Sequence, residues 1–496
     1  MQKIYMNVTD GKYVPHRNDM FYNMYYPVEE ERGFTSKENH VVPGVYEIEI
    51  FPNMEKDITF ICSLEDNIEE IKAKDIIDNE LRRINGILYD SNMINKRDKK
   101  SKEQDYLKFM RNYIIATDNF VVKRSSFGLT TLIAGYPWFL DWGRDSLISF
   151  EGILLIPRRY KEAREVILTC VRDIKYGLVP NGYSGYDNRP LYNSVDASLL
   201  LFEQFYKYLK YTYDDKYIKE NIYVYLKSII DAYSHKVDVD GNNIYLDEDG
   251  LISSGTKETQ NTWMDAKVDN IAVTPRNGKA VEVNSLWYNA LKIMEELATK
   301  YEGKKEAINY KEMAEKCKKT FEEKFYNTKK KCLFDVIGDD KIRPNQLFAI
   351  SLSHPVIDPN TKIAKNIFET VTKKLLTKYG LKTLAKGEPG YVEIYKGDFK
   401  KRDLSYHQGI TWPWLLGLYY DALKNIIKFN EENDELSNYL EQFCEDVENT
   451  FIYEMTERST IGSISEIYDS AKPYEANGTF AQCWSVAEIY RIILRK

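Results

Sequence analysis

Metal-binding and phosphate-binding motifs are absent from this chain. It contains no C-x-x-C pair, no H-E-x-x-H array, no P-loop and no dinucleotide-binding glycine pattern. Structural zinc sites and nucleotide phosphates are usually held by such motifs. We therefore predict a protein with no metal and no cofactor. The six cysteines are scattered along the sequence, which indicates reduced, buried thiols and a cytoplasmic location.

Long apolar runs and excess positive charge are also missing. The longest apolar candidate, ITWPWLLGLYY at 410–420, falls short of the roughly 18–20 residues that span a bilayer. The formal net charge is −7, whereas nucleic-acid binding favours a basic face. The one basic cluster, KRDKKSK at 96–102, is predicted to be a solvated linker. We expect neither a membrane nor a nucleic-acid partner, and the sequence leaves the oligomeric state open.

Aromatic residues, in contrast, are abundant: 39 Tyr, 21 Phe and 7 Trp. Five of the tryptophans lie in short clusters of polar and aromatic residues, at positions 138, 142, 263, 412 and 414. Core packing explains any single aromatic ring equally well. It is the clustering of ring faces beside carboxylates and amides that indicates a sugar-binding site.

The first 100 residues have a different pattern from the rest. GVYEIEIFPN at 44–53 alternates apolar and acidic residues, and DITFICSL at 57–64 is a second β-type run. We predict that residues 1–100 are a truncated β-sandwich-like segment, ending in a linker at 90–105, and that residues 101–496 form the main domain. Two or three strands are not stable alone. They either pack on the main domain or are the end of a longer domain.

Helical periodicity dominates the chain after residue 102. Twelve helices are predicted, at 103–123, 144–155, 159–175, 193–213, 216–236, 279–301, 305–325, 344–353, 360–378, 407–426, 433–451 and 480–494. The third and ninth have one apolar stripe, whereas the fourth and tenth are apolar nearly all round and should be buried. This alternation predicts six helical hairpins closed into an all-α (α/α)6 toroid, with a small β-rich N-terminal segment. An open solenoid is the alternative, but no fixed-period repeat supports it.

The polar-aromatic clusters all precede predicted inner helices. They are GYPWFLDWGRD (135–145), GYDNRPLYNSVDAS (185–198), TWMDAKVDNIAVTPRNGKAVEVNSLW (262–287), RPNQ (343–346), KRDLSYHQGITWPW (401–414) and GSISEIYDSAKPYEANGTFAQCW (462–484). In a closed toroid these six clusters converge on one mouth. Helix N-termini there present free N–H groups to hydroxyls and carboxylates. Such a pocket suits a neutral, polyhydroxylated substrate. Hydrolysis of a glycosidic bond then requires two carboxyl groups, one acid and one base.

Seven stretches in these regions resemble, in order, the C-terminal domain of glycogen debranching enzymes, the amylo-α-1,6-glucosidase family. They are AGYPWFLDWGRDSLIS, YNSVDASLL, TWMDAKV with TPRNGKAVEVNSLWYNAL, RPNQLFAISL, GLKTL, RDLSYHQGITWPWLLG, and GSISEIYD with GTFAQCWSVAEIYR. Residues 21–50 resemble the end of the β-sandwich that precedes this domain in prokaryotic relatives. The earlier part of that sandwich and the transferase half of the eukaryotic enzymes are not represented. One departure is Leu140-Asp141 before WGRD, where the family more usually has a small or polar pair; it affects at most a rim contact.

The resemblance implies an inverting glycoside hydrolase that removes single α-1,6-linked glucose stubs from glycogen-like α-glucans. It assigns the general acid to Asp265, in TWMDA, and the base to Glu466, in GSISE. Arg144 and Asp145 are implied to hold the terminal glucose. The remaining substrate-binding residues are implied to be Trp138, Trp142, Asp196, Trp263, Lys267, Arg276, Glu282, Tyr406, His407, Gln408 and Trp412.

Each assignment has a structural alternative. Asp265 could cap a helix or bind Lys267 or Arg276, and Glu466 could be a surface acid with Asp469 or Glu475 in its place. Two functional alternatives also stay open. One is another (α/α)6 α-glucosidase, glucoamylase-like or trehalase-like, and the other is an α-glucan-binding protein without turnover.

Overall fold

The structure is a computed structural model that describes residues 3–66, 72–91, 103–185, 187–428 and 434–495. It divides into two compact units. The first comprises Met1–Tyr89 with Lys396–Phe399, and the second comprises Asp90–Tyr395 with Lys400–Lys496. Sequence order alone did not predict that a short stretch near residue 397 belongs to the first unit. Most of the predicted linker at 90–105 lies outside the described residues.

The first unit contains strands and two helices: β1 (Tyr5–Val8), β2 (Lys12–Tyr25), α1 (Pro27–Glu31), β3 (Lys37–Glu47), β4 (Phe60–Ser63) and α2 (Ala73–Asp90). β2 pairs with β3 and β1 pairs with β4, both antiparallel. The predicted alternating strand at 44–53 ends early, at Glu47, because its partner β2 begins opposite it at Lys12. Helix α2 was not predicted.

The second unit is mostly helical. Its α-helices are α3 (Glu103–Asp118), α4 (Gly143–Phe150), α5 (Tyr160–Arg172), α6 (Ala197–Thr212), α7 (Asp215–Tyr217), α8 (Tyr223–Ser234), α9 (Val281–Tyr301), α10 (Lys304–Phe325), α11 (Phe348–Ser351), α12 (Lys362–Lys374), α13 (Phe399–Ser405), α14 (Leu415–Lys428), α15 (Asp434–Tyr453) and α16 (Cys483–Ile493). Three π-helical turns, Glu151–Leu155, Ile218–Ile222 and Glu454–Arg458, and the 3₁₀ turn Pro344–Leu347 extend four of them.

All twelve predicted helical ranges contain helix. The predicted helix at 407–426 begins only at Leu415, because Thr411 and Trp412 form a strand and Pro413 follows it. As predicted, α5 buries one face, whereas α6 is buried over most of its length.

Six helices pack against one another in sequence. α4 packs against α6, α6 against α9, α9 against α11, α11 against α14, α14 against α16, and α16 against α4. The other long helices pack on these six: α10 lies on α9, α12 on α14, and α15 on both α14 and α16.

Short strands occupy the loops between the helices. They are β5 (Val121–Lys123), β6 (Thr130–Leu132), β7 (Gly135–Tyr136), β8 (Gly182–Tyr183), β9 (Pro190–Leu191), β10 (Tyr245–Leu246), β11 (Ile252–Ser253), β12 (Lys267–Val268), β13 (Ile271–Ala272), β14 (Tyr326–Asn327), β15 (Cys332–Leu333), β16 (Leu376–Thr377), β17 (Gly380–Lys382), β18 (Thr411–Trp412), β19 (Ile467–Tyr468), β20 (Ala476–Asn477) and β21 (Ala481–Gln482). β16 to β20 form one antiparallel sheet in chain order, and β7 pairs with β21. These pairings join loops that are far apart in sequence. Among the described residues, no helix has the length and apolar character needed to cross a membrane.

Candidate active site

Arg144, in the first turn of α4, connects three of the loops. It is buried, and its Nε donates to both carboxylate oxygens of Asp196, at 2.8 and 2.9 Å. Its Nη1 donates to Oδ2 of Asp265 at 3.1 Å. Asp196 lies directly before α6 and also accepts a hydrogen bond from Ser194 at 2.6 Å. The guanidinium therefore fixes the start of α4, the start of α6 and the loop before β12 relative to one another.

Asp265 lies between the buried Met264 and the β12–β13 hairpin. Its side chain is 44% exposed, so a molecule in solvent can reach the carboxylate. Protein nevertheless surrounds the group closely, and this desolvation is the largest effect on its pKa, which it raises. Arg144 opposes the rise and the negative charge of Asp196 adds to it. Asp265 is thus an accessible carboxyl that holds its proton more tightly than a free aspartic acid.

Glu466, immediately before β19, is the second buried acid of this region. The Tyr406 hydroxyl donates to Oε1, and the backbone N–H of Thr479 donates to Oε2 at 3.0 Å. Burial raises the pKa of Glu466 to about 7, these two hydrogen bonds oppose the rise, and the charge of Asp265 adds to it. Glu466 is therefore held in one orientation and titrates near neutral pH.

Gly478 makes the contact between Glu466 and Thr479 possible. Its φ is +71°, in the left-handed region, and a Cβ at this position would collide with the Glu466 carboxylate. Only glycine combines this backbone conformation with so close an approach.

Asp145 follows Arg144 in α4 and is a third acid in the cluster. It is buried and accepts a hydrogen bond from Nε2 of Gln482 at 3.3 Å. Burial raises the pKa of Asp145 to about 8; Arg144 opposes the rise, and the charges of Asp265 and Glu466 add to it. Hydrogen bonds link the three acids: Arg144 donates to Asp265, Gln482 donates to Asp145, and Thr479 bonds to both Gln482 and Glu466. They therefore lie in one site.

Three of the predicted substrate-binding residues, Trp263, His407 and Trp412, are buried in an aromatic core. Their side chains are at most 2% exposed. His407 stacks on Trp412 with ring centroids 5.1 Å apart, and Trp263 meets both rings edge-on. Trp263, which the resemblance implied to bind substrate, thus presents no open ring face. The pKa of His407 lies well below its usual range because of burial and nearby arginines.

This aromatic core supports Tyr406. The Tyr406 ring contacts His407 and Trp412, with centroids 4.7 and 4.8 Å away, and its carbonyl accepts from Nε1 of Trp412 at 3.1 Å. Strand pairing of Thr411 with Tyr468 places this loop beside the one that carries Glu466.

Arg276 and Glu282 form a separate buried ion-pair network. Nε of Arg276 donates to Glu282 Oε1 at 2.5 Å, and Nη1 donates to Asp335. Asn345 Nδ2 donates to the other oxygen of Asp335 at 2.9 Å, and Asn345 Oδ1 accepts from Nε1 of Trp263 at 2.7 Å. The Arg276 guanidinium is thus bound by Glu282 and Asp335 of the protein itself, and this network fixes the loop before α9.

The remaining predicted residues lie in the loops. Lys267 is half-buried in β12. Gln408 accepts from Arg343 and donates to the carbonyl of Val273, at 2.9 and 3.0 Å. Trp138 is 52% exposed, and Trp142 is half-buried immediately before α4, where its ring excludes a side chain at position 182.

Five residues that hold the acids were not predicted: Ser194, Asn345, Gly478, Thr479 and Gln482. All lie within the quoted motifs, so motif membership was the available signal. Their roles depend on hydrogen bonds that sequence does not show. Within the described part of the chain, no group of histidine, cysteine, aspartate and glutamate side chains is arranged to hold a metal ion.

A reachable acid together with a second, buried acid provides the two carboxyl groups that a glycoside hydrolase requires. Residues 115–491 match the family model described as amylo-alpha-1,6-glucosidase, and the chain belongs to that family. Residues 1–56 match a second family, described as glycogen debranching enzyme N terminal.

Individual relatives are more distant. The glycogen debranching enzyme of Saccharomyces cerevisiae is 25% identical over 391 residues, covering 59% of this chain and 25% of that protein. The chain therefore spans about a quarter of the length of that curated relative. Among solved structures, a rhamnosidase from Klebsiella oxytoca with rhamnose bound superimposes with a TM-score of 0.46 at 13% identity, covering 71% of this chain and 57% of the other.

Proposed function

We propose that this protein is an inverting amylo-α-1,6-glucosidase that removes single α-1,6-linked glucose units from glycogen-like α-glucans. The observation that carries the proposal is the hydrogen-bond network that links Asp265 and Glu466 in one site. Arg144 donates to Asp265, and the next residue, Asp145, is linked through Gln482 and Thr479 to Glu466. Family membership supports the same reaction.

In this proposal Asp265 is the general acid and protonates the glycosidic oxygen. Its exposure allows contact with the substrate, and its raised pKa favours the protonated form that an acid requires. Arg144 keeps the carboxyl in place but favours its ionised form. A bound sugar that displaces water from Asp265 opposes this effect, because desolvation raises the pKa of the carboxyl.

Glu466 is the general base and takes a proton from the attacking water. The hydrogen bonds from Tyr406 and Thr479 favour its ionised form. A water on the opposite face of the sugar from Asp265 then gives a product of inverted configuration. Asp145 and Arg144 bind hydroxyls of the terminal glucose.

We also propose that the second unit is an (α/α)6 toroid, with α4, α6, α9, α11, α14 and α16 as its inner helices. The packing of each of these helices on the next, and of α16 on α4, supports this fold. The clustering of acids at the N-terminal ends of α4 and α6 supports a site at one mouth.

The test is to incubate the protein with an α-1,6-branched oligosaccharide and to follow the released sugar by NMR. We expect glucose whose first anomer is β. Initial α-glucose would contradict the inverting mechanism, and no glucose release would contradict the activity.

A panel of α-1,4, α-1,6 and α,α-1,1 linkages distinguishes the alternatives. Preference for α-1,4 or α,α-1,1 bonds would indicate a glucoamylase-like or trehalase-like enzyme. Tight α-glucan binding without turnover would indicate a binding protein.

A further inference from the structure

Phe480 is an exposed ring within a segment that is otherwise buried and anchored to the site. Its side chain is 50% exposed, whereas those of Thr479 and Gln482 are fully buried. Thr479 donates its backbone N–H to Glu466, and Gln482 donates to Asp145. Thr479 and Gln482 also bond to each other at 2.5 Å. Because both neighbours are held by the acids, the backbone of Phe480 lies at a fixed position beside them.

Trp138 lies at the same end of the ladder formed by β7 and β21. In that ladder Ala481 pairs with Tyr136 and Gln482 pairs with Gly135. Residue 480 precedes the paired part of β21, and residues 137 and 138 follow the paired part of β7. Phe480 and Trp138 therefore lie at the same end of this strand pair, just beyond the paired residues, and both side chains are about half exposed.

An exposed pair of large rings needs a physical reason, because an aromatic ring gains free energy when it is buried. Among the other rings of this site, Trp263 and Trp412 are buried in the core, whereas Trp142 and Tyr406 are half-buried. Phe480 is an exposed ring next to Thr479, which donates to Glu466, so it is available to a sugar unit that lies outside the acids.

We propose that Phe480, with Trp138 at the same end of the β7–β21 ladder, binds the sugar on the leaving side of the cleaved bond by stacking on its apolar face. This inference rests on the proposed function, since it takes the site to be a glucosidase pocket. Phe480 would then determine preference for polymeric over small substrates without contacting the reacting atoms.

The experiment compares two substrates, a branched α-glucan and α-glucosyl fluoride, whose leaving group contains no sugar. In Phe480→Ala, we expect the ratio of kcat/KM for the glucan to that for the fluoride to fall about tenfold or more, as expected for the loss of a stacked ring. Phe480→Trp should restore the ratio. An unchanged ratio, or an equal loss on both substrates, would overturn the proposal.

Tyr213→Ala is the matched control. Tyr213 is an aromatic residue that is 83% exposed, and it follows the C-terminal end of α6. Asp196 lies at the opposite end of that helix, about 25 Å away at 1.5 Å per residue. This variant should keep the wild-type ratio.

A binding measurement separates this inference from the proposed function. Titration calorimetry with maltotetraose requires no turnover, and Phe480→Ala should weaken the affinity about tenfold relative to the unaltered protein and to Tyr213→Ala. If the unaltered protein releases no glucose, the glucosidase proposal fails while this comparison still reports on Phe480. Equal affinities in all three proteins would overturn the role of Phe480.

Discussion

Asp265 and Asp269 are four residues apart, yet their surroundings differ in every respect that matters for acid catalysis. Asp265 is bound by the buried Arg144 and has a raised pKa. Asp269 occupies the turn between β12 and β13, where its side chain is 68% exposed and pairs with Lys400. Both acids lie in one sequence motif. Asp265 precedes the β12–β13 hairpin and contacts Arg144, whereas Asp269 lies in the turn of that hairpin.

Replacement of Asp265 by Asn should therefore abolish most of the activity. The amide cannot donate the proton, and we expect kcat to fall by about 10²–10⁴-fold. Steady-state kinetics on a branched oligosaccharide checks this, with Asp269→Asn as the control. If Asp269→Asn is the damaging change and Asp265→Asn is harmless, the acid is misassigned.

Tyr406→Phe should shift the pH profile. The phenol lowers the pKa of Glu466, so its removal raises that pKa above about 7. The base must be ionised, and the acidic limb of kcat/KM should therefore move to higher pH. A profile from pH 5 to 9 measures the shift. Tyr419→Phe, which removes a buried hydroxyl bonded to Thr372 and Tyr439, should leave the limb in place; an identical shift there would contradict the role of Tyr406.

The motif resemblance predicted which residues belong to the site, but it did not predict the environment of each side chain. Trp263, His407 and Trp412 were predicted to bind substrate because they lie in the motifs, and all three are buried. A motif marks residues that a site requires. Whether a residue faces the ligand or supports a neighbour depends on tertiary packing, which local sequence does not determine.

At the scale of elements, helices were predictable because they have a 3.6-residue period over ten or more residues. The strands that position the site have only two or three residues, as in β7, β18, β19 and β21. So short a segment shows no periodicity. The pairing of Thr411 with Tyr468 brings Tyr406 to Glu466, and no local pattern predicts that pairing.

The loop before α9 depends on one buried arginine. Arg276→Met should lower the free energy of unfolding by about 3–5 kcal/mol, because Glu282 is left as an unpaired buried charge and Asp335 loses its closest cation. Urea denaturation measures the change.

Lys300→Met, on the α9 helix that follows this loop, is the control. Its ion pair with Asp215 is exposed, and an exposed pair contributes about 0–1 kcal/mol. Equal losses in the two variants would mean that the Arg276 network does not stabilise the loop.

At the scale of the whole molecule, the acids of the site should destabilise the fold as pH rises. In the folded protein the pKa values of Asp145 and Glu466 are about 8 and about 7, whereas the ordinary values of these side chains are 3.8 and 4.5. At a pH between the ordinary and the folded pKa of each group, the folded state retains a proton that the unfolded chain has lost. Stability therefore decreases as pH increases through this window.

We expect the double variant Asp145→Asn/Glu466→Gln to show a smaller loss of stability between pH 5.5 and 8 than the unaltered protein, measured by urea midpoints. The half-buried His354 and the buried His407 have lowered pKa values and act in the opposite direction, but equally in both proteins. Parallel pH dependences in the two proteins would contradict the prediction.

The amino-acid sequence by itself determined the helical class, the position of twelve helices and the motifs that contain the acids, because periodicity and residue type are local properties. Only the tertiary structure decided that Arg144 joins Asp196 to Asp265, that Tyr406 and Thr479 hold Glu466, and that three predicted binding residues form a buried aromatic core. Those contacts join residues up to 337 positions apart, as Gln482 and Asp145 are. They exist only because helix packing and short strand pairings bring the loops together, and burial in that arrangement raises the pKa values of the acids.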